Sequence, residues 1–354
     1  MSGTFGPEAS FTGLPHPAAE ALRLATAYQA SRALHVALGL GLPDLLAGDP
    51  RSAEDLARET ATHAPSLRRL LRALAAYGVF SEGEDGRFAL GPLGIALRSG
   101  VPGSVRDLAL MWGDEDYWLT WAELERCVRT GRTAAEHLFG AEDTFRRYAG
   151  DARFGAVFNA GMTVASASAA STVVAAYDFP ETGLVVDIGG GQGRLIAAIL
   201  RARPRLRGML LDLPSVIAGA PRLLAEAGVA QRCEVVGGDM FAGVPEGGDL
   251  YILSRVIDSF EDGRAIAVLA NCRRAMGTQG RLLVVEPVLP ERIAEPTTPA
   301  VREDMLMDLN MLVRTGGRER TEAEYRGFLA AAGLRLERVL PTGAAVALVE
   351  ASPA

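Results

Sequence analysis

Apolar residues recur along this chain with two different periods, and the change falls near residue 178. Before it the spacing is helical. From Pro17 to Leu46, the positions Leu22, Ala25, Tyr28 and Ala33 lead into an apolar run broken by Gly39, Gly41 and Pro43. Ser52 can cap a further helix that carries Glu54 and Asp55 in its first turn. Ser66 offers a cap to the next, which is apolar at 67, 70, 71, 74 and 77 and stops at Gly78. Val79 to Leu90 reads as a short hairpin around an acidic turn, so the order helix, helix, hairpin outlines a winged helix. Residues 104–176 read as mostly helical and hold Trp112, Trp118 and Trp121 within ten positions. Residues 1–17 show no period and are expected to form a loose arm.

After Pro180, short β-like runs alternate with helical stretches. The runs are 184–187, 209–212, 234–236, 250–253 and 281–286, with helical patterns at 195–203, 215–227 and 263–276 between them. That alternation predicts an α/β fold with a parallel sheet covered on both faces. The expected domains are therefore residues 1–100 (helical, winged-helix), 101–177 (a helical connector) and 178–354 (a Rossmann-like sheet domain).

Composition sharpens this outline. At 354 residues the chain is longer than one hydrophobic core usually organises. Its formal net charge is −7, and residues 51–98 hold seven arginines against six acids, so the winged helix lacks the basic stripe that phosphate contact needs. A dimer-forming role is expected of it, with no nucleic-acid partner. No window of about 18 uninterrupted apolar residues occurs, and no membrane partner is expected. Cys127, Cys233 and Cys272 are too widely spaced for a zinc site or a disulfide framework, and the opening residues show no export pattern. A cytoplasmic chain with reduced thiols and no metal is expected.

Two absences exclude more. All 36 basic residues are arginine, which removes Schiff-base and Walker-type phosphate chemistry. The four histidines are His16, His35, His63 and His137, so the sheet domain has no histidine base.

The strongest motif is Asp187-Ile-Gly189-Gly-Gly191-Gln-Gly193, between the first strand and its helix. Glycines let the backbone turn sharply and approach a ligand closely. A dinucleotide fingerprint needs a small residue where Arg194 stands, and Asp187 would crowd a pyrophosphate. The pattern suits instead a cofactor with an amino-acid end and no phosphate. Asp212 ends the second strand, where an acid commonly takes ribose hydroxyls, and Asp239-Met240 after the third could hold an adenine.

These residues, with Arg69-Leu-Leu-Arg-Ala-Leu, Phe158-Asn-Ala-Gly-Met162, Leu211-Asp-Leu-Pro and Gly316-Gly-Arg-Glu319-Arg-Thr, carry a resemblance over essentially the whole length. The chain resembles the S-adenosylmethionine-dependent small-molecule O-methyltransferases, which include caffeate-type plant enzymes and bacterial antibiotic and phenazine tailoring enzymes. The resemblance implies a class I methyltransferase fold, a homodimer and a small aromatic substrate. It places Gly189, Asp212, Asp239, Met240 and Ser254 at the cofactor, and the candidate set also includes Asp187, Gly191, Leu213 and Arg255. Phe158 and Met162 are expected to line the substrate cavity, as are Met307 and Met311, with Arg314 positioned to hold a substrate carboxylate or ring oxygen.

One departure stands out. The family usually has a catalytic histidine after the fourth strand, where this chain has Asp258; Glu286 and Glu319 match the acids that flank that histidine. A phenol near pKa 10 giving its proton to imidazole climbs about 3.5 units, about 5 kcal/mol. Giving it to an ordinary carboxylate climbs about 6 units, about 8 kcal/mol. Burial beside two acids would raise the Asp258 pKa and recover part of the difference. Three readings follow. Asp258 is an elevated-pKa base for an acidic hydroxyl; or a ring nitrogen or enol carbon is the nucleophile; or the fold performs another cofactor-assisted tailoring reaction. A ligand-sensing winged-helix regulator is the remote alternative.

Overall fold

The computed structural model describes residues 16–140, 144–294 and 297–354. The arm expected at residues 1–17 lies, but for its last two residues, outside them. The chain divides into two compact units that meet at Asp114 and Glu115.

In the first unit, α1 (His16–Gly39) is followed by α2 (Leu42–Leu45), α3 (Ala53–Thr60) and α4 (Ala64–Ala75). The strands β1 (Phe80–Glu82) and β2 (Phe88–Leu90) then pair antiparallel, and α5 (Pro92–Ile95) and α6 (Arg106–Gly113) complete the unit. Ser52 caps α3 as the sequence predicts, accepting from the Asp55 amide at 3.1 Å. Such a cap is worth about 1 kcal/mol. Ser66 caps nothing: α4 begins at Ala64, with Pro65 in its first turn, and Ser66 bonds the His63 ring instead. Proline in the first turn needs no amide donor, which is why the start moves two residues upstream of the serine. Leu38, Leu42, Leu56, Leu71, Phe80 and Phe88 form the core.

The second unit opens with α7 (Glu115–Ala122), α8 (Leu124–Thr130), α9 (Ala134–Phe139), α10 (Thr144–Gly150) and α11 (Ala152–Ala176). There follow β3 (Gly183–Ile188), α12 (Arg194–Ala202), β4 (Leu206–Asp212), α13 (Pro214–Ile217), α14 (Ala220–Glu226) and β5 (Cys233–Gly237). The chain continues through β6 (Leu250–Ser254), α15 (Asp262–Ala275), β7 (Arg281–Glu286), β8 (Val288–Leu289), α16 (Pro299–Arg314), β9 (Arg320–Thr321) and α17 (Glu322–Ala331). Strands β10 (Leu334–Pro341) and β11 (Ala347–Pro353) end it.

Seven strands form one sheet in the order β10-β11-β7-β6-β3-β4-β5. The five strands read from the sequence are parallel, whereas β11 runs antiparallel between β7 and β10, so the sheet is mixed. Alternation along each strand divides the core. Val185, Ile252 and Val285 face α12, α14 and the end of α11, while Val186, Leu253 and Val284 face α15 and α17. The single helix expected over 215–227 is two, α13 and α14, interrupted at Gly219 before Pro221. By length and composition alone, α11 is apolar enough to cross a membrane, though its C-terminal half packs Ala170 and Val173 into the sheet core.

Candidate active site

The carboxyl ends of β3, β4, β5, β6 and β7 lie along one edge of the sheet, where ligands bind in folds of this kind. Asp187, Asp212, Ser254 and Glu286 stand at or beside those ends, with Asp239 two residues past β5.

The loop from β3 into α12 is built on left-handed backbone at Gly189, Gly191 and Gly193. A Cβ on Gly189 would lie 2.8 Å from Val256, and one on Gly190 would lie 2.5 Å from Asp187 Oδ2. Asp187 thus sits fully buried beneath its own loop. Burial, reinforced by the charge of Asp212, pushes its pKa up to about 7.

Asp212 fixes the loop from the next strand. One oxygen accepts from the Gly191 amide and the other from the Leu213 amide, both at 2.7 Å. Each oxygen retains a lone pair, which suits a pair of ribose hydroxyls. Asp239 accepts from the Phe241 amide at 2.9 Å, and Asn271 holds the Met240 carbonyl at 2.6 Å, so the loop after β5 is also tied down. Asp239, Met240, Ser254 and Arg255 are all half-buried and therefore within reach of a ligand. Arg255 adopts left-handed backbone at φ 53°, unusual for a residue with a Cβ, at the point where the chain leaves β6. The glycine turn, the acid at the end of β4 and the loop after β5 offer the donors and acceptors that S-adenosylmethionine would need.

Beyond β6 lies a group of three acids. Asp258, on a short helical turn over Ile257–Ser259, is only 3% exposed and accepts a hydrogen bond from Ser259 Oγ at 2.9 Å. Glu286 lies against the turn that carries Asp258. One Glu286 oxygen accepts the amides of Val256, Ile257 and Asp258 at 3.0, 2.8 and 3.2 Å, and the other accepts Tyr325 Oη at 2.7 Å. The carboxylate is thus a clamp that shapes the turn carrying Asp258. Burial and the Asp258 charge push the Glu286 pKa up to about 8. The segment leading to Glu319 passes close against the same turn, because a Cβ on Gly317 would sit 2.0 Å from the Asp258 carbonyl oxygen and only glycine permits that approach. Burial, then the charges of Asp258 and Glu286, push Glu319 up to about 10. Asp258 is itself raised by burial, with Arg255, Ser259 and Arg320 opposing.

The expected substrate residues divide. Phe158 belongs to an aromatic series in which Phe145 stands 6.2 Å from Phe158 and 5.6 Å from Phe260, which in turn lies 5.0 Å from Phe241. Met162 follows one turn along α11, half-buried. Met311 brings its sulfur to 4.0 Å from Ser259 Oγ, next to Asp258, whereas Met307 contacts Asn310. Arg314 is corrected. It is buried at 2% exposure, bonds Thr120 and Asp116 at 2.9 Å each and also Tyr148, and lies over the Tyr117 ring. All of that is internal packing, which leaves its guanidinium committed to the fold. His137 pairs with Thr130 in an exposed contact on α9. Ser259, Tyr325 and Arg320 were not singled out from the sequence. Arg320 lay inside a quoted motif, but hydroxyls at positions 259 and 325 carry no spacing signal.

Fold and edge together define a class I S-adenosylmethionine-dependent methyltransferase. The chain belongs to the O-methyltransferase family: the family's O-methyltransferase domain matches residues 121–335 and its dimerisation domain residues 22–99. It is 46% identical over 332 residues to a phenazine O-methyltransferase of Lysobacter antibioticus, covering 94% of this chain and 95% of that one. It is 33% identical over 319 residues to a phenazine-1-carboxylate N-methyltransferase of Pseudomonas aeruginosa, covering 90% and 92%. A solved O-methyltransferase from neocarzinostatin biosynthesis, in complex with S-adenosylmethionine and 2-hydroxy-5-methyl naphthoic acid, superposes with a TM-score of 0.78 at 32% identity, over 92% of this chain and 96% of that one. This chain is accordingly an S-adenosylmethionine-dependent methyltransferase of small aromatic secondary metabolites.

Proposed function

We propose that the methylated atom is an aromatic hydroxyl oxygen, that Asp258 receives its proton, and that the enzyme works as a homodimer through its first unit. The observation that carries this reading is the placement of Asp258. It is a nearly fully buried carboxyl whose Oδ1 is held by Ser259 and whose backbone is clamped by Glu286.

When bound, S-adenosylmethionine supplies an electrophilic sulfonium methyl. Asp212 would take its ribose hydroxyls, Asp239 and Met240 its adenine, and the Gly189–Gly193 loop its amino-acid end. Asp258 would then withdraw the hydroxyl proton as the oxygen becomes nucleophilic, which general-base catalysis favours when the base's pKa is raised from the ordinary carboxylate range toward the working pH. Phe158 and Phe260, both packed on Phe145, and Met311 beside Ser259 would orient a planar ring and keep water away. The homodimer is supported by the dimerisation-domain match and by Leu22, Leu24 and Tyr28, large apolar side chains exposed on α1.

The test is to supply methyl-labelled cofactor with hydroxylated and ring-nitrogen aromatic acceptors and to locate the label by NMR. Label on oxygen is the expected result. Label on nitrogen or carbon alone would place the chain with the N-methylating relatives and remove the need for a base.

A further inference from the structure

The turn that carries Asp258 is only three residues long, too short to hold its shape by its own hydrogen bonds. Two buried charged side chains hold it instead. One Glu286 oxygen accepts its amides at Val256, Ile257 and Asp258. Arg320, fully buried, serves its carbonyls: Nη1 donates to Ile257 at 3.1 Å and Nη2 to Phe260 at 3.4 Å. Those two carbonyls bracket Asp258 along the chain.

The two side chains are themselves kept in register. Glu286 ends β7, Pro287 follows with its fixed φ, and Val288 of β8 pairs with Arg320 of β9. The small β8–β9 ladder therefore sets the acid against the guanidinium. Arg320 is further aimed by the Arg318 carbonyl at 3.1 Å, by Asp262 at 3.3 Å and by the Phe328 ring, 4.1 Å from its guanidinium carbon. A planar guanidinium offers its donors in a rigid fork, so two different nitrogens reach two different carbonyls at once. An ammonium group has a single nitrogen and lacks that span.

We propose that Arg320 is a positioning residue for methyl transfer: it grips the Ile257–Ser259 turn by its carbonyls while Glu286 grips the amides, and so fixes where the Asp258 carboxyl stands. This rests on the reading of Asp258 as the base, and the effect of Arg320 on rate passes through Asp258. Small displacements of a catalytic group cost rate steeply, which is what such a grip prevents.

The test compares wild type, Arg320→Lys, Asp258→Asn and the double variant, with 1-hydroxyphenazine as acceptor and with enzyme counted by its binding of S-adenosylhomocysteine. Arg320→Lys should lower kcat by about tenfold or more and leave S-adenosylhomocysteine affinity within about twofold. In the Asp258→Asn background the same replacement should cost less than about twofold, because residues that act as one unit are not additive. Hydrogen exchange should quicken by about tenfold over residues 255–260 while β6 keeps its protection. If Arg320→Lys does not fold, Asp262→Asn, at an exposed position, loosens Arg320 and should show the same pattern more weakly. Exchange that quickens throughout the second unit, with kcat per binding site unchanged, would make Arg320 a packing residue and overturn the proposal. A loss as large in Asp258→Asn as in wild type would overturn it too. Wild-type turnover in Asp258→Asn alone would instead overturn the base reading and this inference with it, so the two failures are separable.

Discussion

At the scale of single residues, the chemistry depends on what surrounds each carboxyl rather than on how many there are. Asp187, Asp212, Asp258, Glu286 and Glu319 are all raised by burial, yet their partners give them different work. Asp212 retains lone pairs beyond its two amide bonds, so Asp212→Ala should weaken S-adenosylmethionine binding by about 10- to 100-fold, the loss of charge-assisted hydrogen bonds of about 1.5–3 kcal/mol. Calorimetric titration with the cofactor measures this, and unchanged affinity would refute the ribose assignment. Asp258 stands on its own turn beyond β6, held by Ser259 and away from the glycine loop and Asp212, so its substitution should spare cofactor affinity.

At the scale of elements, the short turn over Ile257–Ser259 connects everything the site needs. Val256 packs on Gly189 of the cofactor loop, Glu286 at the end of β7 clamps its amides, and Tyr325 on α17 holds Glu286 in place. Tyr325→Phe removes one buried hydrogen bond to a carboxylate and should destabilise the protein by about 1–3 kcal/mol. It should also move the pH dependence of kcat, because Glu286 shapes the turn under Asp258. Urea denaturation and a pH profile check both; a pH profile that stays in place while stability falls would make Tyr325 a packing residue only. Much of this layout was legible beforehand. The five parallel strands and their terminal acids could be read because alternation and a glycine turn are local signals. What stayed hidden is non-local. Strands β10 and β11 are not among the runs read from the sequence: charges at Arg335, Glu337 and Arg338 interrupt β10, and Arg338 pairs with Glu350 of β11 in a register no period reveals. Arg314 looked free for the same reason: its partner Asp116 lies 198 residues earlier.

At the scale of the whole molecule, two features bear on stability. Arg314 and Arg147 both pair with Asp116 inside the second unit, where Arg314 and Asp116 are 2% and 7% exposed. Asp116→Ala would leave a buried guanidinium uncompensated and should cost about 3–5 kcal/mol, measured as a fall in the denaturation midpoint. Folding also draws protons into the acid group. Glu286 and Glu319 rise from an ordinary 4.5 to about 8 and about 10, so the folded state binds more protons than the unfolded one between those values. Their contribution is therefore fully present below pH 4.5 and is lost as pH climbs through 8 and then 10, by up to about 1.4 kcal/mol per unit for each group. Melting at pH 6 and pH 9 should show this loss, and Glu319→Gln should reduce it. An equal loss in the variant would mean Glu319 does not hold its proton on folding.

The central claim is that a buried aspartate takes the place of the family's histidine as base, and the pH dependence of kcat for wild type and Asp258→Asn tests it most directly. The account predicts a wild-type rate that rises with pH through an ionisation above the ordinary carboxylate range. In Asp258→Asn that rise should vanish and kcat should fall by about 10²- to 10⁴-fold, with cofactor affinity unchanged. An Asp258→Asn enzyme that keeps the wild-type rate and profile would contradict it.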